Sequence, residues 1–289
     1  MQIADIQVAP IYVDGRFWLS QDDDGLSLVG EPVVRDVTIT LGSTQLTTID
    51  RSSFMMHGFG RDITDMSLEL PLVDVEVSDR SWHAEQLGLA WRKNRLAGVV
   101  PQISIDDVID LTNAVSTLPT VVADLLEQVR PRGQLQDVHF LVPLDEVADS
   151  RSAFRLSSVS SGSYRGMPGF SGISGFADIG LRDGKVYLNE ENVVVDFGEL
   201  FPDSWSFDSA KGRFQYRYQQ GYLQVWSGLL HAESASIRAT GRLHLNLSPE
   251  LENRTWGLEL GVTGIPISEV PLYVPDTVDP QASKWLATA

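Results

Sequence analysis

Side chains whose types and spacing could do chemistry are sparse in this chain, and the densest set lies in YRGMPGFSGISGFADIG, residues Tyr164–Gly180. There Ser171 and Ser174 stand between glycines, as an exposed nucleophile does. A hydrolase elbow requires G-x-S-x-G on a strand–turn–helix. Ser171 is followed at once by Gly172, one place early, and Ser174 by Gly175 in the same way. Both flanks read as strands. The glycines therefore read as backbone devices that permit positive φ and close strand approach at a bend or bulge, and no catalytic residue is assigned.

The other chemical candidates resolve similarly. His57, His83, His139, His231 and His244 have no second histidine or carboxylate at metal-ligand spacing, so they read as solvent-facing and no metal site is assigned. Gln21–Gly25, QDDDG, lacks the spacing and later glutamate of an EF-hand and reads as a hairpin turn. Paired carboxylates for glycoside hydrolysis occur in any acidic chain. Trp205, Trp226 and Trp256 are of the type that stacks on sugars, and more often fill a core or rim an apolar surface. Asn246 and Asn253 sit in short glycosylation sequons that arise readily by chance. No phosphate loop or dinucleotide fingerprint occurs, and no cofactor is expected.

Whatever positions these residues is mostly strand. Phe214, Tyr216 and Tyr218 alternate with Arg213, Gln215 and Arg217 before the turn Gln220-Gly221 and the strand YLQVW, which predicts a hairpin. Val193, Val195 and Phe197 alternate after an Asp183-Gly184 turn. Leu243, Leu245 and Leu247 alternate with Arg242, His244 and Asn246, and Val138, Phe140 and Val142 flank His139. One face of such strands leaves water. EPVVRDVTITL, DMSLELPLVDVEV and EQLGLAWR read as strands in the N-terminal third. Two helices are expected in the middle. The first opens on a Ser104–Asp107 capping pair. The second starts near Thr117-Leu118-Pro119, carries Val122, Leu125, Leu126 and Val129 on one stripe, and stops at Pro131-Arg132-Gly133. The expected organisation is a β segment over residues 1–103, a helical insertion over 104–133, and a β segment over 134–289.

The 289 residues carry a net charge of −17, which excludes nucleic acid as a partner because phosphate contacts need clustered Lys and Arg. There is no cysteine, hence no disulfide or thiolate site. No apolar run approaches the ~18 residues of a membrane helix, and Met1–Pro10 is unlike a signal peptide. Work outside the cytoplasm would then require delivery by a longer chain of which this is a fragment.

Five stretches in order resemble a family. Arg130–Phe140, RPRGQLQDVHF, looks like the opening of a β segment in bacterial AsmA-like proteins of the YhdP type, and Pro168–Gly175, PGFSGISG, looks like that family's glycine corner. Asp183–Phe201, Ala239–Leu247 and Val270–Ala289 resemble the strand pair, the next strand and the closing signature that follow. The resemblance covers roughly residues 80–289. It implies a mainly β fold, a long curved antiparallel sheet forming an open, taco-like apolar groove with one or two short helices in the middle. It further implies a periplasmic segment of a bridge-like lipid-transfer protein, anchored in the inner membrane by a part of the chain not present here. Its partners would be phospholipid acyl chains and the remainder of the same chain.

The alternation suits that role. Each buried CH₂ is worth about 0.8 kcal/mol, so two chains of about 16 carbons resist entering water by roughly 20 kcal/mol or more. Groove candidates are Val138, Phe140, Val142, Val193, Val195, Phe197, Leu243, Leu245 and Leu247. The same alternation also builds a closed sandwich with a filled core, and a carbohydrate-binding or adhesin-type β domain is the competing expectation.

Overall fold

The computed structural model describes residues 6–8, 12–41, 44–62, 64–77, 80–115, 119–164, 168–198, 201, 203–235 and 237–266. The closing signature expected over Val270–Ala289, and Thr117 and Leu118 ahead of the second helix, lie outside them. Period-two sequences separated by short turns can pair with their chain neighbours at little loop entropy, and they do so throughout. The first strands are β1 (Ile6–Val8), β2 (Tyr12–Asp22), β3 (Gly25–Leu41), β4 (Thr44–Asp62), β5 (Asp65–Val77), β6 (Arg80–Arg92) and β7 (Arg95–Ser104). Helices α1 (Ile105–Val115) and α2 (Thr120–Val129) follow. Then come β8 (Arg132–Pro143), β9 (Arg151–Ser161), β10 (Gly169–Gly180), β11 (Asp183–Asp196), β12 (Trp205–Gln219), β13 (Tyr222–Ser227), β14 (Leu230–Glu233), β15 (Arg238–Leu247) and β16 (Thr255–Thr263). Apart from β1–β2 and β13–β14, consecutive strands of the single antiparallel sheet lie side by side. The fold is mainly β, as expected.

Two apparent departures from the meander are interrupted strands. β13 and β14 both lie between β12 and β15, with Gly228 and Leu229 as the break. Ser227, itself buried, repairs it: its hydroxyl accepts from the Leu243 N–H at 2.8 Å, a donor the broken ladder would otherwise leave unpaired. β1 and β2 likewise share β3 as their partner.

The chain divides into two compact units, Met1–Leu118 with Leu135–Phe154, and Pro119–Gln134 with Arg155–Ala289. In the first, Met56, Met66, Leu70, Val73 and Leu87 are buried. The helix α1 begins as the sequence predicts, with the Ser104 hydroxyl accepting from the Asp107 N–H at 3.0 Å and donating to its carboxylate at 2.6 Å. On exposed strand positions of this unit, His83 lies across from Asp74 at 2.7 Å. Sequence spacing missed that pair because the partners sit on different strands.

In the second unit, left-handed residues interrupt three consecutive strands: Ser158 in β9, Gly172 in β10 and Asn192 in β11. Such residues mark β-bulges, which bend a strand and change which parity faces inward. On β11 the inward parity passes from Val186 and Leu188 to Val193 and Val195 across Asn192, while the β10–β11 register shifts between Ser171 and Gly175. The glycine-rich stretch is thus sheet-corner chemistry. Gly172 has φ +76°, and a Cβ on Gly175 would collide with the Tyr187 carbonyl oxygen. The Ser174 hydroxyl accepts from the Ser158 N–H at 3.4 Å, and Ser171 is exposed. The hairpin between β12 and β13 turns as predicted, with Gln220 and Gly221 both at positive φ and Gln219 opposite Tyr222. Asp183 and Gly184 differ from expectation: both already lie on β11, and the turn precedes them. The Asp22 carboxylate accepts from the N–H groups of Asp24 and Gly25, closing QDDDG as a turn.

Two measurements check these assignments. Gly172→Ala is expected to lower stability by about 1–2 kcal/mol and Gly172→Asn by less, because asparagine tolerates the left-handed region; denaturant unfolding reads the difference. The hydrogen bond to Asp74 raises the His83 pKa above its ordinary value. The stability from the protonated ring is fully present below the unfolded pKa of ~6.5 and is lost as pH rises through the higher folded value. Imidazole NMR titration should place His83 above 6.5, and His83→Gln should remove that component of the pH dependence.

Candidate functional site

The inward parity of β9 to β16 lines one cavity of about 420 Å³, within the ~300–1,000 Å³ of ligand sites. Its walls are aliphatic and aromatic, including Val186, Leu188, Val193, Phe214, Leu243 and Leu258. Depth comes from small residues where neighbouring strands meet: Ala210 faces Ala232, which faces Ala239, and Gly241 lies opposite Leu230. Lys211, His231 and Thr240 also border the cavity, but they align across β12, β14 and β15 on the opposite parity and are exposed. The wall residues Val186, Leu188, Phe214, Leu243 and Leu258 are only half-buried. In a filled sandwich, residues of this parity would be covered. On the edge strand β16, Leu260 remains 40% exposed at the margin of the cavity.

The two ends are closed differently. At the start of β12, Trp205 and Phe207 pack with Phe197 and Phe201, ring centroids 4.7 Å apart for Phe197–Trp205 and for Phe201–Trp205. Tilted and edge-on contacts of this kind add to burial. At the other end of β12, Tyr216 and Tyr218 pack beneath α2, with Leu223, Leu245, Leu247 and Trp256 from β13, β15 and β16. The nine steps from Phe207 to Tyr216 span roughly 30 Å at ~3.3 Å per residue.

The sequence-predicted residues therefore separate. Val193, Val195, Phe197 and Leu243 line the cavity. Leu245 and Leu247 continue the same row of β15 but are buried under α2, at 5% and 2% exposure. Val138, Phe140 and Val142 lie on β8, in the first unit, where Val138 is buried and Phe140 abuts Gly98. The three tryptophans also part company. Trp205 and Trp256 are engaged in the two end clusters, whereas Trp226 has the opposite parity, between Gln215 and His244. Sequence reasoning missed the wall contribution of β9 and β10, including Leu156, Val159, Phe170 and Ile173. The bulges at Ser158 and Gly172 break the alternation that would have shown it.

The site thus offers an apolar volume poor in hydrogen-bonding groups, suited to holding an apolar chain. Neither a curated protein nor a solved structure matches the chain. The model of the YhdP protein family matches residues 7–289, nearly the whole sequence. The chain belongs to the YhdP family, bridge-like lipid-transport proteins of the bacterial envelope.

Proposed function

We propose that this chain is a non-enzymatic segment of a bridge-like protein that shields phospholipid acyl chains in the apolar trough of its second unit and passes them between the inner and outer membranes. It works in the periplasm, attached to the inner membrane through a part of the protein beyond these residues. The observation that carries this reading is the half-buried apolar wall around the cavity, joined to membership of a lipid-transport family. An acyl chain has no hydrogen-bonding group, so a site for it needs only apolar surface kept from water, and its transfer gains about 0.8 kcal/mol per CH₂. Half of a ~30 Å hydrocarbon core is about 15 Å, which fits within the span between the two end clusters. Val193, Val195, Phe197 and Leu243 are the proposed contacts in this unit, with Val138, Phe140 and Val142 serving the first unit in the same way.

Leu243 and Leu245 give the test, since they stand two residues apart on one face of β15 and differ only in cover. Leu243→Glu is expected to fold, with a stability loss of about 1 kcal/mol, and to lose most co-purifying phospholipid in native mass spectrometry. Leu245→Glu places a charge under α2 and is expected to cost on the order of 3–5 kcal/mol. If Leu243→Glu keeps its lipid while folded, or the wild type carries none, the reading fails.

A further inference from the structure

Helix α2 lies where the trough would otherwise continue. The rows that line the cavity run on beneath it: Phe214 leads to Tyr216 and Tyr218 on β12, Leu243 to Leu245 and Leu247 on β15, and Leu258 to Trp256 on β16. Val225 belongs to both, lining the cavity and packing against the helix cluster. The helix contributes Val121, Val122, Leu125 and Val129, an apolar stripe laid into an apolar groove. Its ten residues are about 15 Å long at 1.5 Å each, close to the depth of one leaflet.

Little of what holds α2 is intrinsic to it. Its N-cap is Pro119, without a side-chain cap, and helices of ten residues are marginal on their own. A polar tether reaches it from the residue just before β16. Arg254, whose side chain is 4% exposed, donates from Nη2 to the Asp124 carboxylate of α2 at 2.9 Å. Its other nitrogens are fixed by the sheet side, Nε to the Ser248 carbonyl at 2.9 Å and Nη1 to the Tyr164 hydroxyl at 3.4 Å. The guanidinium is therefore a preset socket, and Asp124 is what the helix brings to it. At the far end of α2 the Gly162 N–H donates to the Val129 carbonyl at 2.7 Å.

We propose that α2 is a displaceable occupant of the acyl trough, latched by Arg254–Asp124, and that an acyl chain and the helix compete for the surface of Leu223, Leu245 and Leu247. The competition rests on the acyl reading given above; the latch does not. Latched, the trough ends at α2; released, it is longer by about the length of the helix.

Asp124→Arg, Arg254→Asp and the double exchange test the latch by hydrogen exchange on lipid-free protein. Either single change is expected to speed exchange of the α2 amides by at least roughly tenfold, and the double exchange to restore protection. Because the chain has no cysteine, Leu247→Cys supplies a single thiol. It should be shielded from maleimide in the latched protein and labelled when combined with Asp124→Arg. Adding phosphatidylcholine vesicles carrying a pyrene-acyl phospholipid should shield it again and raise bound pyrene several-fold over the latched protein. Unchanged α2 exchange in both single variants would overturn the latch. A loosened helix with Leu247→Cys still unlabelled, or labelled yet unaffected by the vesicles, would overturn the competition. Absence of pyrene binding to the wild type, with the exchange result intact, would overturn the acyl reading and leave the latch standing.

Discussion

An alternating strand offers one face that must leave water, and a meander of such strands adds those faces into a single apolar surface. Everything in the second unit follows from how that surface is covered. At one end four aromatic rings close over it, and at the other α2 does. Between them the rows of β11, β12 and β15 keep their apolar side chains, and small residues at Ala210, Ala232, Ala239 and Gly241 deepen the floor instead of filling it. Among the described residues no second layer covers this stretch, and its side chains stay half-buried, so a ligand can provide the missing burial.

This also explains why the site is so poor in recognisable chemistry. On the acyl reading proposed above, a polar or charged group on the inward parity would pay a desolvation cost without gaining a partner from the ligand. Charges are instead placed on the opposite parity, as with Lys211, Arg242 and His244. Arg254 is the exception. It is buried at the helix-covered end, where the Asp124 carboxylate, a carbonyl and a phenol surround it. Covering the trough with a helix that carries an ion pair makes that cover specific in position, whereas apolar contacts alone are tolerant of sliding.

Much of this was legible in the sequence because local physics decides it. The Gln220-Gly221 turn, the Ser104–Asp107 cap and the alternation around Leu243 and Val193 depend on neighbours a few residues away. What was not legible depends on distant partners. Leu243 and Leu245 share type and parity, and only α2, more than a hundred residues earlier, separates wall from core. Bulges at Ser158, Gly172 and Asn192 shift the inward parity mid-strand, which hid Val159 and Ile173 from a period-two reading. The His83–Asp74 pair and the Arg254–Asp124 tether join residues that no spacing rule connects.

Photocrosslinking in living cells tests the central claim most directly, with benzoylphenylalanine placed at Phe214 on the inward parity and at its neighbour Gln215 on the other. A phospholipid adduct from Phe214 and none from Gln215 is the outcome required of an apolar face left open for acyl chains. Equal adducts from both positions, or none from Phe214, would contradict it.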